Sequence, residues 1–77
     1  MREFDIVLNS LQQVQCFVSL AMIQPFEIMV GNDHQHINGK DLMGMFSLDY
    51  RIPVRVQAIC SEAQFDTFRS SALQLCA

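Results

Sequence analysis

Two histidines and three cysteines are the side chains of this chain best suited to acid–base, nucleophilic or metal chemistry, and their placement argues for little of it. His34 and His36 are two residues apart, so on one strand they share a face. Among the carboxylates, Asp33 stands closest to them. A metal site takes three or four ligands, so this group reads as solvated hairpin residues and no metal is expected. Cys16, Cys60 and Cys76 are odd in number and widely spaced, with no CxxC. That pattern suits neither a disulfide framework nor a zinc site. The expectation is three small buried hydrophobes in a reducing compartment. Ser10 precedes an amphipathic run and could hold a phosphate at a helix start, where free N–H groups favour anions. A plain N-cap explains the same serine. No cofactor is expected.

The elements that must position these residues follow from periodicity. Phe4, Ile6 and Leu8 alternate along a half-buried strand. From Leu11 the period changes: Leu11, Val14, Val18 and Ala21 recur at helical spacing, with Phe17 widening the stripe. Gln12, Gln13, Gln15 and Ser19 fall on the opposite side, and Gln24-Pro25 ends the helix. Phe26, Ile28 and Val30 mark a second strand, Gly31-Asn32-Asp33 a turn, and His34 to Asn38 a returning strand. Asp41 to Leu48 reads as a short helix capped at Asp41, and Asp49 to Pro53 as a connection. Val54, Val56, Ala58 and Cys60 alternate along the last strand. Ser61-Glu62-Ala63-Gln64 has the form of a capping box ahead of Phe65, Phe68, Ala72 and Leu75 at helical spacing. The order is strand, helix, strand, strand, short helix, strand, helix. Helices with one apolar face need a sheet to cover, so the expected fold is α+β: an open-faced two-layer sandwich with a four-stranded antiparallel sheet and the helices on one face.

Composition narrows the function classes. Seventy-seven residues form one domain, 1–77, with 51% apolar and 17% charged side chains. The net charge is -3, and Arg2, Lys40, Arg51, Arg55 and Arg69 are scattered. A nucleic-acid surface needs a basic stripe, so no nucleic acid is expected. No apolar run is long enough to span a bilayer, and the first residues lack a signal-peptide layout, so a cytoplasmic protein without a membrane partner is expected.

One segment carries a resemblance. Ile37-Asn38-Gly39-Lys40-Asp41-Leu42-Met43-Gly44-Met45-Phe46-Ser47-Leu48 resembles the stretch of the HPr family, the histidine-containing phosphocarriers of the bacterial sugar phosphotransferase system, in which a Lys-Ser pair opens a short helix. The flanking elements fit the family order over nearly the whole chain with little identity. The resemblance implies a phosphoryl-accepting histidine in a Gly-x-His-x-Arg-Pro-like loop at the start of the first helix. This chain reads Leu8-Asn9-Ser10-Leu11-Gln12-Gln13-Val14 there, and no histidine precedes His34. Asn9, Ser10 and Gln12 thus stand in a degenerate active-site loop, and without a ring nitrogen no phosphoramidate forms. Asp41 stands where the family carries a regulatory serine. A carboxylate at a helix N-terminus is a cap worth about 0.5–2 kcal/mol; it is also a fixed charge where the family has a switchable one, though only a partial phosphate mimic.

Leu42, Met43 and Phe46 correspond to short-helix residues that the family uses to dock partners, with Met45 and Leu48 facing the core. The resemblance therefore implies a non-catalytic protein-binding or regulatory domain rather than an enzyme. Two alternatives stay open: a phosphocarrier with an unusual acceptor, and a structural homo-oligomer that covers its own apolar patch.

Overall fold

The structure, a computed structural model, describes residues 1–74. Its elements are β1 (Arg2–Ile6), α1 (Leu11–Met22), β2 (Ile28–Gly31), β3 (His36–Asn38), α2 (Leu42–Met45), β4 (Val54–Ala58) and α3 (Glu62–Gln74). The strands form one antiparallel sheet in the order β1-β4-β2-β3. This is the expected α+β arrangement of βαββαβα.

Register explains the two layers. Phe4, Val56, Val30 and Ile37 lie side by side across all four strands. Ile6 pairs with Val54, and Ile28 with Ala58. Directly paired residues share a face, so these rows form one apolar surface. Val14, Phe17, Val18 and Ala21 of α1, Met45 of α2, and Phe68 and Ala72 of α3 bury themselves in the same core. Phe68 sits in edge-on contact with Phe4, Phe17 and Phe26, at ring-centroid separations of 5.8–6.0 Å. The opposite face carries the rows Glu3, Gln57, Met29, Asn38 and Asp5, Arg55, Gly31, His36. Arg55 bonds Asp5 at 3.2 Å and lies 3.6 Å from Glu3, and these β1 carboxylates hold its guanidinium pKa above the usual arginine value.

Helix starts follow local chemistry. Ser10 Oγ accepts from the Gln13 amide at 3.2 Å, while Gln13 Oε1 accepts from the Asn9 amide at 2.6 Å. Ser61 and Gln64 make the reciprocal pair of a capping box, at 3.2 and 3.1 Å.

Several expectations need correction. The first strand begins at Arg2 and ends at Ile6, although Leu8 is still buried. Leu11 is 66% exposed, because the buried stripe of α1 begins only at Val14. Cys16 is exposed, not buried: it lies four residues from Gln12 and three from Ser19, on the polar side of α1. Cys60 is half-buried against the core. Cys76 and Leu75 lie outside the described residues. The returning strand is shorter than expected, because Asn32 Oδ1 takes up the amides of His34 and Gln35 in the turn. His34 is therefore not on a strand with His36.

Candidate functional site

The segment from Asn38 to Arg51 builds the candidate site. Asn38 opens it as a turn: its carbonyl accepts from Asp41 N at 2.9 Å, and its Oδ1 accepts from Lys40 N at 2.9 Å. Gly39 donates to the Ile28 carbonyl at 2.8 Å, which pins the turn to β2. α2 then follows for a single turn. A Cβ on Gly44 would lie 2.6 Å from Ile37 Cγ2, so glycine lets α2 press onto β3.

Met45 is fully buried and Leu48 nearly so, which anchors α2 from beneath. Its other apolar side chains are left outside: Leu42 is 37% exposed, Met43 78% and Phe46 37%. Spacings of one, three and four let one face present all three.

Asp41 occupies the N-cap position of α2, but its carboxylate makes no capping hydrogen bond. Ser10, which does cap, is extended at φ -149° and ψ 160°, and Asp41 is extended too. The Asn38 turn holds Asp41 at φ -99° and ψ 102°. The expected cap is therefore corrected to an exposed carboxylate beside Gly44.

Two residues that periodicity does not single out complete the surroundings. Tyr50 donates its hydroxyl to the Met45 carbonyl, which closes the end of α2. Burial pushes the Tyr50 phenol up to about 12. Arg51 grips Asp49 with two side-chain bonds, at 3.0 and 2.9 Å, and donates its amide to the same carboxylate. These bonds hold Asp49 down at about 2. Tyr50 and Arg51 line a shallow recess of about 610 Å³ with Val7, Leu8, Asn9, Ser10, Leu11 and Val14. This recess lies at the start of α1, where Ser10 and Gln13 are engaged in capping and Gln12 is exposed. No histidine stands there. His34 and His36 line a different recess, on the open face of the sheet, with Asp5 and Arg55. The structure thus groups Leu42, Met43 and Phe46 with Asp41, and keeps both histidines apart from the α1 start.

Among the described residues, no helix is long and apolar enough to cross a membrane. No family model matches the chain, and no curated protein matches it. Among solved structures, it is similar to the crystal structure of HPr-C-His from Thermoanaerobacter tengcongensis, with a TM-score of 0.71. The two are 22% identical over 91% of this chain and 89% of that chain. The chain therefore has an HPr-like fold.

Proposed function

We propose that residues 1–77 form a single HPr-like domain without phosphocarrier chemistry, one that binds or regulates a protein partner in the bacterial cytoplasm. Its docking surface is Leu42, Met43 and Phe46, with the Asp41 carboxylate on the rim. The observation that carries this reading is the division within α2. Met45 is wholly buried and holds the helix in place, while Met43 stands largely in solvent and Leu42 and Phe46 beside it stay partly exposed. Desolvating such side chains is a main source of binding energy, and methionine adapts its shape to a partner. The uncapped state of Asp41 supports a role for its charge outside the fold, as the fixed counterpart of a regulatory phosphate.

The absence of phosphotransfer rests on the sequence around Ser10, where the groups at the helix start are serine and amides rather than imidazole. The test is intact mass after incubation with enzyme I of the sugar phosphotransferase system and phosphoenolpyruvate. The mass is expected to stay unchanged. An acid-labile gain of one phosphoryl group that disappears on substituting Asn9, Ser10 or Gln12 would establish the carrier alternative instead.

A further inference from the structure

The C-terminal end of α1 has no basic residue in its last turn. Helix dipoles and free carbonyls make such an end favourable for a cation. The chain supplies one from elsewhere: Lys40 Nζ donates to the Gln24 carbonyl at 2.8 Å, sixteen residues away and partly buried. Gln24 is itself fixed, since its amide donates to Ala21 O and its side chain to Leu20 O, both at 3.1 Å. On the other side of the lysine, the backbone from Asn38 to Asp41 is tied to β2 through Gly39 and closed by Asn38. Lys40 therefore joins the segment just after α1 to the turn that precedes α2.

We propose that Lys40 is the positioning residue of the α2 face. Its ammonium links the turn before α2 to the segment just after α1 and so sets where Leu42, Met43 and Phe46 are presented. The α2 helix has a single turn and cannot hold its own orientation through internal hydrogen bonds. Met45 and Gly44 fix its depth against the sheet, and the Lys40 bond fixes its leading end. A charge-assisted bond of this kind is stronger than a neutral one, so removing the charge weakens the link even when a polar side chain remains. The inference relies on the proposed function only for the meaning of the α2 face as a docking surface.

The test needs no partner, so its failure is distinct from failure of the binding proposal. Lys40→Gln and Lys40→Arg are compared with wild type by amide hydrogen exchange and residual dipolar couplings. In Lys40→Gln, exchange at Met45 and Phe46 is expected to quicken by about tenfold. Couplings from Leu42 to Phe46 should change while those of Val54 to Ala58 hold. Lys40→Arg should restore most of both. Unchanged couplings and exchange in α2, whether or not the protein loses stability, would overturn the proposal. Should Lys40→Gln fail to fold, the wild-type chain decides. Lys40 is its only lysine, so one ¹⁵N-ammonium signal reports the bond. Slow proton exchange is expected, and exchange as fast as that of a free lysine side chain would overturn the assignment.

Discussion

Tyr50 is the only tyrosine in the chain, so its ionisation can be followed alone. Burial favours the neutral phenol, and the folded value of about 12 lies above the ordinary 10.0. The stability contributed by this raised pKa is fully present below pH 10 and is lost as pH rises toward about 12. Tyrosinate absorbance in the native protein should therefore appear late, with unfolding setting in over that interval. Ionisation near pH 10 with the fold intact would show that the phenol is not shielded at the end of α2. Met43, Phe46 and Phe68 differ in burial and should differ in the same order in cost. Met43 is 78% exposed, so Met43→Ser should stay within about 0.5 kcal/mol of wild type. Phe46 is nearly two-thirds covered, and Phe46→Ser should cost about 1–2 kcal/mol. Phe68 is 1% exposed beneath three other rings, so Phe68→Ala should cost about 3–5 kcal/mol. Chemical denaturation ranks the three. A loss at Met43 approaching that at Phe68 would mean that Met43 is a core residue.

At the scale of elements, the β2–β3 hairpin depends on Gly31. A side chain there would collide with the backbone carbonyl of Gln35, which accepts the Asn32 amide in closing the turn. Gly31→Ala should destabilise the protein by about 1–3 kcal/mol, with the largest chemical-shift changes between Asn32 and His36. A silent substitution would show that the turn has room to relax. Most elements were legible in the sequence because their signals are local. Ser10 and the Ser61–Gln64 pair announce helix starts, and the alternation of Val54, Val56 and Ala58 announces β4. Boundaries shifted where pairing rather than hydrophobicity decides. Arg2 and Glu3 join β1 because Ala58 and Gln57 lie opposite them, which alternation of apolar residues does not reveal. Cys16 was readable from helical spacing, but its general habit of burial pointed the other way.

At the scale of the whole molecule, the sheet and its register set what the chain offers to others. One face of the sheet is spent on the core, and the other carries Arg55 between Glu3 and Asp5. Exposed ion pairs of this kind contribute little to stability. The α2 segment was legible as a candidate site through its resemblance to the HPr short helix, from Leu42 to Phe46. Its supports were not: the Lys40–Gln24 and Tyr50–Met45 bonds depend on how separate segments meet. The uncapped Asp41 was not legible either, since an acid at a helix start reads as a cap and only the structure shows that this one makes no capping bond. The α2 surface is proposed to bind a protein through Leu42, Met43 and Phe46. Its most direct test is quantitative affinity capture from the native cell with four immobilised baits: wild type, Met43→Ser, Phe46→Ser and Ile59→Ser. Ile59 is 56% exposed and lies just after β4, outside α2, so its variant controls for general stickiness. At least one protein should be retained by wild type and Ile59→Ser but reduced at least about tenfold by both α2 variants, as expected for anchors worth more than about 1–2 kcal/mol each. Retention that is equal across all four folded baits, or lost equally with Ile59→Ser, would contradict it.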